Sequence, residues 1–241
     1  MKTSVLIIAH NESAHIGECI ESLLSQTVRP DEIVLINHNS TDATGEIARK
    51  YPVTVIDYEG PKGSVYARIK GFEVVGGEYI LCIDGDSMAA PNWIEVMTGM
   101  LAKEGMVMVG SWVRMTGTLY FFLGSCYWYF MCASKGFRAT DYLWGASLGL
   151  VARERDTAIR ALKEGITLTS KLALPNNPDD YWLALFMSTR GNLEVTNKTW
   201  VKAHAKESNS WQGFTRGIVA RGIRWTVHRF LHREGLPSIR I

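Results

Sequence analysis

The sequence predicts an α/β fold with a mainly parallel sheet flanked by helices, and three observations support this prediction. Short apolar runs alternate with segments of helical periodicity from the first residues onward. The runs are apolar at every position, as expected of strands that are covered on both faces. The 241 residues are 46% apolar and 21% charged, which is enough to bury a sizeable core and too apolar for a disordered chain.

The predicted elements alternate in type along the first third of the chain. Ser4 to Ala9 is the first strand, and Asn11 is predicted to cap a helix whose apolar residues recur at helical spacing, namely Ile16, Ile20, Leu23 and Leu24. Further strands are predicted at 33–36, 53–56 and 79–83, with helices at about 43–50 and 64–75. Such alternation produces βαβ crossovers, whose ligands bind at the carboxyl ends of the strands.

Polar residues follow three of these strands, at the point where each strand ends. The three segments are Ala9-His10-Asn11-Glu12, Asn37-His38-Asn39-Ser40-Thr41-Asp42 and Asp84-Gly85-Asp86. Two carboxylates separated by one glycine suit a hard divalent cation that keeps waters and substrate phosphates. A turn in which both Asp side chains make local hydrogen bonds is the alternative.

These segments, in this order, resemble the family 2 glycosyltransferases of GT-A fold, and the resemblance covers most of the chain. The matching stretches are Ser4 to Glu12, Ile33 to Asp42, Ala67-Arg68 with Gly71, Asp84-Gly85-Asp86, Gly145-Ala146-Ser147 followed by Ala152-Arg153, and Pro178 to Leu183. The joint match is specific, whereas any one of these motifs would not be.

The resemblance implies an inverting enzyme that moves a sugar from a nucleotide-diphosphate sugar to a hydroxyl of a glycan or lipid-linked acceptor in cell-envelope synthesis. It also implies that Mg²⁺ or Mn²⁺ assists. The metal ligands would be Asp86, Asp84 and His204, and the general base would be Asp180, with Asp179 beside it. Donor contacts would come from Ala9, Asn11, Glu12, Asn37, Asp42, Arg68 and Asp84, and acceptor contacts from Gly145, Ala146 and Trp182.

Each of these assignments has a structural alternative. Arg68 is also typical of a solvated helix face, and His204 of a histidine satisfied within the fold. Asp179 and Asp180 also suit the first turn of a helix, where carboxylates are favoured as caps. The family has two acidic residues where this chain has Asn37 and His38, so the resemblance does not determine which nucleotide the donor carries. His38 equally suits a turn histidine that is hydrogen-bonded to the backbone.

The charge is divided unevenly along the chain. Residues 1–110 carry 8 basic and 15 acidic side chains, whereas residues 111–241 carry 18 and 9, which suggests an anionic surface or ligand for the second half. We predict a catalytic domain over 1–205, with a nucleotide-sugar half at 1–110 and an acceptor half at 111–205. Residues 206–241 are predicted to form a basic amphipathic helical extension, which either packs on the domain or meets an anionic surface.

Localisation is predicted from three features. Met1-Lys2-Thr3 leads directly into a strand pattern, so no signal peptide is expected, and the four cysteines show no metal-ligand spacing, which favours reduced thiols in the cytoplasm. Met115 to Ser134 is uncharged and rich in aromatics, which fits core or acceptor packing, an interfacial anchor or, least well, a membrane span. Peripheral association with the inner face of the cell membrane is therefore an expectation.

Two other functional classes fit a sheet of this kind. A nucleotidyltransferase would use a similar carboxylate-bound metal, but the first loop, Ala9-His10-Asn11-Glu12, lacks a Gly-rich basic signature. A non-catalytic nucleotide-sugar-binding protein would not need both the Asp84-Gly85-Asp86 pair and Asp180. The formal net charge of +2 gives no strong overall field, and no nucleic-acid partner is expected.

Overall fold

The computed structural model describes residues 1–116, 145–171 and 179–204, and for residues 115 and 116 the backbone only. Within these ranges the chain forms one eight-stranded sheet with helices packed on it. The strands are β1 (Thr3–Ala9), β2 (Glu32–His38), β3 (Thr54–Tyr58), β4 (Tyr79–Asp84), β5 (Ser87–Ala89), β6 (Met106–Thr116), β7 (Ser147–Val151) and β8 (Asn192–His204). The helices are α1 (Ile16–Leu24), α2 (Thr44–Ala48), α3 (Ser64–Val74), α4 (Trp93–Leu101), α5 (Arg155–Lys171) and α6 (Asp179–Met187).

The sheet has the order β3-β2-β1-β4-β7-β6-β8-β5. Its first four strands are parallel, and β7 joins the edge of β4 in the antiparallel direction. The register pairs Ala9 with Asn37 on β2, and Ile8 with Asp84 on β4. The predicted α/β class is confirmed, and the register brings the polar segments after β1, β2 and β4 to one edge of the sheet.

Every residue of β1 is buried, because helices cover the sheet on both sides. Close packing of α3 is part of the cause: a Cβ at Gly71 would lie 2.4 Å from the side chain of Leu6, so only glycine lets the helix approach the strand this closely. The predicted strands and helices of the first 84 residues are present, most of them extended or shortened by one or two residues at their ends.

The predicted helix cap at Asn11 is wrong. His15 immediately precedes α1 and makes no side-chain capping bond. Asn11 instead has a φ of 54°, and its Oδ1 accepts a hydrogen bond from the Thr41 amide at 2.8 Å. The side-chain amide of Asn11 thus connects the loop after β1 to the loop after β2. Asn tolerates the left-handed conformation that this turn requires.

Several sequence predictions concern residues outside the described ranges. These are residues 117–134 of the aromatic segment, the basic extension at 206–241, Cys126 and Cys132. Cys19 and Cys82 are buried free thiols. Over residues 1–116, 145–171 and 179–204, none of the helices has the length and apolar character required to cross a bilayer.

Candidate active site

The Asp84-Gly85-Asp86 turn packs directly against the end of β1. The Gly85 amide donates to the Ile8 carbonyl at 2.8 Å. A Cβ at Gly85 would lie 2.9 Å from the Cβ of Ala9 and 3.2 Å from Cγ of Glu12. The residue between Asp84 and Asp86 therefore has no room for a side chain. The turn is thereby held at the sheet edge beside the buried residues Ala9 and Glu12.

Side chains also connect the loops that follow β1 and β2. The Ser13 and Thr44 amides each donate to the Asp42 carboxylate at 3.0 Å. Burial alone would raise the pKa of Asp42, but the hydrogen bonds from Thr44 and Ser13 outweigh it and hold that pKa well below its ordinary value. Asp42 therefore lies at the predicted edge, yet its carboxylate binds the protein's own backbone.

Asn37, at the end of β2, is paired with a residue that the sequence analysis missed. Its Nδ2 donates to Oδ1 of Asp57 at 2.8 Å, and Asp57 forms an ion pair with Arg49. Asp57 lies opposite Asn37 in the register of β3 and β2, and only that register identifies it. An acidic group is thus present beside Asn37, although it comes from the neighbouring strand.

His38 is buried and contacts the loop after β3. Its Nε2 lies 3.0 Å from the Pro61 carbonyl oxygen, and its ring stacks on Tyr58 with the centroids 5.4 Å apart. Burial lowers the pKa of His38, so the neutral ring is favoured at pH 7. Of the two alternatives for this residue, the structure shows the turn histidine bonded to backbone.

Three other carboxylates lie near enough to Asp84, at the end of β4, to affect its pKa. Burial raises the pKa of the Asp84 carboxyl from 3.8 to about 7; the Arg68 guanidinium opposes this rise, and the charges of Asp86, Asp179 and Asp180 add to it. Asp179 and Asp180 come from the start of α6, far along the chain from Asp84. Repulsion between neighbouring carboxylates is the electrostatic condition that a hard divalent cation relieves, so the Asp84 and Asp86 carboxylates suit Mg²⁺ or Mn²⁺.

Arg68 does not lie on a solvated face. It is 2% exposed, and its Nε donates to Oδ2 of Asp179 at 3.0 Å. Burial would lower the pKa of Arg68, but the Asp179 carboxylate raises it above its ordinary value, so the guanidinium stays charged. Arg68 thus holds Asp179 in this structure, and its contact with the donor stays a prediction.

Asp179 and Asp180 begin a helix, as their sequence context predicts. Asp179 is buried in the pair with Arg68, whereas Asp180 is half-buried and its Oδ1 accepts from the Tyr181 amide at 2.8 Å. The two neighbouring carboxylates thus have different surroundings. Asp180 lies close enough to Asp84 to raise the pKa of its carboxyl.

The predicted acceptor residues divide into two groups. Gly145 and the buried Ala146 lie just before β7, and the Gly145 carbonyl lies 3.5 Å from Nη1 of Arg68. Trp182 is fully buried, its Nε1 donates to Thr169 on α5 at 2.9 Å, and a Cβ at Gly165 would lie 2.6 Å from its ring. Its side chain has no exposed surface and packs α6 on α5, so Trp182 as an acceptor contact stays a prediction without direct support.

His204 ends β8 beside the Asp86 backbone. Its amide donates to the Asp86 carbonyl at 3.0 Å, while its ring stacks on His15 with centroids 4.2 Å apart. Its Nε2 lies 3.9 Å from Oε2 of Glu18. The sequence analysis missed His15 and Glu18, although their three-residue spacing at the start of a helix places both on one face.

Breaking the Arg68–Asp179 pair should destabilise the protein strongly. We expect Arg68→Met to lower the free energy of unfolding by about 3–5 kcal/mol, because Asp179 would remain buried without its counter-charge. Urea denaturation measures this, with Lys70→Met on the same helix as the control. Adding Asp179→Leu to Arg68→Met should recover most of the lost stability. If Arg68→Met alone is as stable as the Lys70→Met control, the Arg68–Asp179 pair does not stabilise the fold.

Comparison with known proteins identifies the family. Residues 4–147 match the family model for glycosyl transferase family 2. This match covers β1 to the start of β7, including the Asp84-Gly85-Asp86 turn. The chain belongs to glycosyl transferase family 2.

Relatives of this family 2 chain include glycosyltransferase GlyG of Streptococcus pneumoniae serotype 4, which is 31% identical over 129 residues. That match covers 50% of this chain and 43% of the relative. The uncharacterized glycosyltransferase YibD of Escherichia coli K12 is 33% identical over 109 residues, covering 44% of this chain and 32% of YibD. The family 2 chain thus matches less than half the length of these curated relatives.

Solved structures share the fold at low sequence identity. Residues 1–349 of TarS from S. aureus superpose with a TM-score of 0.59 at 17% identity, over 92% of this chain and 65% of TarS. Glucosyl-3-phosphoglycerate synthase from Mycobacterium tuberculosis, solved with Mn²⁺, UDP-glucose and phosphoglyceric acid, gives a TM-score of 0.61 at 19% identity, over 98% and 81% of the two chains. This family 2 chain therefore has the mixed α/β fold of the GT-A glycosyltransferases.

Proposed function

We propose that the protein is an inverting, metal-assisted glycosyltransferase that moves a sugar from a nucleotide-diphosphate sugar to a hydroxyl of a glycan or lipid-linked acceptor. One observation carries the proposal: in a family 2 chain, the Asp84-Gly85-Asp86 turn is held against the end of β1 at the carboxyl edge of the parallel strands, where the charges of Asp179 and Asp180 also act on Asp84. That edge is where α/β sheets bind nucleotides. The M. tuberculosis synthase, solved with Mn²⁺ and UDP-glucose, supports the same donor class.

Asp86 and Asp84 are proposed to hold the divalent cation, for which Mg²⁺ and Mn²⁺ are the candidates. When bound, such a cation supplies Lewis-acid neutralisation of the charge that develops on the leaving diphosphate. Asp84 sits at the end of β4 beside Ile8, and Gly85 keeps the two carboxylates against the first strand. The backbone that carries both carboxylates is thus held in place before the nucleotide sugar binds, which reduces the reorganisation needed on binding.

Asp180 is the proposed general base. An acceptor hydroxyl attacks poorly unless its proton is removed as the new bond forms. The Asp180 carboxylate takes that proton while the hydroxyl oxygen bonds to the anomeric carbon and the bond from that carbon to the diphosphate breaks, leaving its electron pair on the diphosphate. One direct displacement of this kind inverts the anomeric configuration. Asp179 is held by Arg68, and it positions the start of α6 from which Asp180 projects.

The raised pKa of Asp84 predicts a pH dependence of cation binding. Because its folded-state pKa is about 7, Asp84 is mostly protonated at pH 6, and a cation must displace that proton. The affinity for Mn²⁺ should rise by about tenfold from pH 6 to pH 8 and level off above that range. Calorimetry in buffers of different ionisation enthalpy measures both affinity and proton release. Asp84→Asn should bind Mn²⁺ more weakly at pH 8 and lose this pH dependence; an equally steep profile in Asp84→Asn would contradict the assignment.

Peripheral association with an anionic cytoplasmic membrane surface is a further part of the proposal. It rests on the aromatic segment at 115–134 and the arginines of the 206–241 extension, each basic residue near the surface adding about 1 kcal/mol. Neutralising Arg221, Arg224 and Arg229 together should reduce co-sedimentation with acidic vesicles, and high salt should do the same. The matched control neutralises three exposed basic residues of the first half, namely Arg29, Lys50 and Lys62. A parent protein that stays in the supernatant at low salt contradicts this part.

The transferase proposal is tested by screening donor hydrolysis over a panel of nucleotide sugars with Mg²⁺ and with Mn²⁺. One nucleotide sugar should be hydrolysed faster than the others, and chelation of the divalent cation should abolish the reaction. Hydrolysis by the parent that is unchanged in Asp86→Ala would show that the activity does not come from this site. Absence of cleavage and of binding for every nucleotide sugar would overturn the proposal.

A further inference from the structure

Two imidazoles and one carboxylate meet beside the Asp86 turn, outside the carboxylate cluster described above. They belong to His15, which precedes α1, to Glu18 in the first turn of that helix, and to His204 at the end of β8. Each offers one ligand atom, and these atoms all lie within 4.8 Å of one another. Among the residues of 1–116, 145–171 and 179–204, this is the one group of three such side chains that comes together in this way.

The backbone at all three positions is held by hydrogen bonds. The His15 amide donates to the Glu12 carbonyl at 2.9 Å, and Glu18 follows within the first turn of α1. The His204 amide donates to the Asp86 carbonyl at 3.0 Å. Side-chain rotation is therefore the movement left for adjusting the distances between the three ligand atoms.

The distances are close to those that a small cation requires. Zinc binds imidazole nitrogen and carboxylate oxygen at about 2.0–2.2 Å in a tetrahedral arrangement, so its ligand atoms lie about 3.3–3.6 Å apart. Oε2 of Glu18 is already 3.9 Å from Nε2 of His204. The His15 and His204 rings are stacked at 8°, so one ring must turn out of the stack to bring its lone pair toward the same point. His15 is half-exposed and immediately precedes α1, so its ring is the one we expect to turn.

The ligand chemistry differs from that of the Asp84–Asp86 pair. Imidazole nitrogen favours borderline transition metals such as zinc or cobalt, whereas carboxylate oxygens alone favour magnesium and manganese. We propose that His15, Glu18 and His204 form a second divalent-cation site for a metal of the zinc class, separate from the hard-cation site at Asp84 and Asp86. A cation bound here would link the first helix to the end of β8, and this proposal assigns the His204 ring to the second site in place of the role predicted for it beside Asp84 and Asp86. This inference goes beyond the proposed transferase function and does not depend on it.

Cobalt is a suitable probe, because Co²⁺ with nitrogen and oxygen ligands absorbs visible light and substitutes for zinc. The full chain is used in a background with His228 and His232 changed to Ala, since histidines four residues apart in a predicted helix can chelate a metal by themselves. Excess Mg²⁺ is present to occupy the carboxylate pair. We expect one Co²⁺ to bind per chain with a visible absorption band, and Zn²⁺ to displace it.

Glu18→Gln decides the assignment, because the Glu18 side chain is 57% exposed and its loss should not disturb the fold. We expect Glu18→Gln and His15→Gln each to weaken Co²⁺ binding by roughly 100-fold or more, since even a lost outer-shell partner costs about 10–100-fold. Glu21→Gln, one turn further along α1, is the matched control and should bind Co²⁺ like the background protein. Asp86→Asn should also retain the absorption band.

Three results would overturn the proposal. One is equal Co²⁺ affinity in the background protein, Glu18→Gln and His15→Gln. Another is loss of the band in Asp86→Asn with retention in His15→Gln, which would place the ion at the carboxylate pair. The third is the absence of any Co²⁺ binding by the background protein, whose folded state is checked by near-ultraviolet circular dichroism.

Discussion

Replacing Asp180 by Asn is expected to lower sugar transfer by about 10²–10⁴-fold while the fold and donor binding remain close to those of the parent. Asn keeps the shape of the side chain and still accepts from the Tyr181 amide through its oxygen. It cannot take the proton from the acceptor hydroxyl. Single-turnover transfer, measured together with calorimetric donor affinity and thermal unfolding, separates the chemical step from binding and stability.

The neighbouring residue provides the matched control. Asp179→Asn removes the charge that Arg68 pairs with in a buried setting, so its first effect should be a lower unfolding temperature. Asp180→Asn should leave that temperature unchanged. If Asp180→Asn keeps most of its turnover, the base is another group, and Asp180 serves to begin α6.

Replacing Asp86 by Ala is expected to abolish the dependence of donor binding on divalent cation. The carboxylate removed is the one proposed to hold the cation against the diphosphate, and Asp84 alone offers too few oxygen ligands to replace it. Calorimetry with each nucleoside diphosphate, with and without Mn²⁺, measures the change. Glu95→Gln, an exposed carboxylate on α4, is the control and should bind like the parent. An Asp86→Ala protein whose nucleotide affinity still increases with Mn²⁺ would contradict the assignment.

The parallel half of the fold was predictable because its signals are local. A strand such as Ser4 to Ala9 is apolar at every position, and the helix after it has a clear apolar period, so each element is identified from a few neighbouring residues. The convergence of the loops after β1, β2 and β4 follows from their being parallel neighbours. The edge of the sheet, and with it the Asp84-Gly85-Asp86 turn, could therefore be located before the structure was known.

What could not be predicted depends on pairs that are distant along the chain. Arg68 and Asp179 are 111 positions apart, and no sequence pattern near either residue predicts that they form a pair. The burial of Trp182 depends on Gly165 on α5, which leaves room for its ring. Asp57 is brought to Asn37 by strand register alone. In each case tertiary packing determines which residues are in contact, and composition and periodicity carry no information about such contacts.

The Arg68–Asp179 pair also has a consequence for the order in which the chain folds. During translation α3 emerges from the ribosome long before α6. Arg68 therefore lacks its counter-charge until Asp179 has been synthesised and has left the ribosome. Burying a lone guanidinium costs several kcal/mol, which favours a nascent α3 that stays hydrated or loosely docked on β1. Final docking of α3 is thus coupled to arrival of the strand and helices that complete the other half of the sheet. The first half of the chain, released by itself, should behave as a loosely packed intermediate in which α3 exchanges its amide protons faster than in the complete protein.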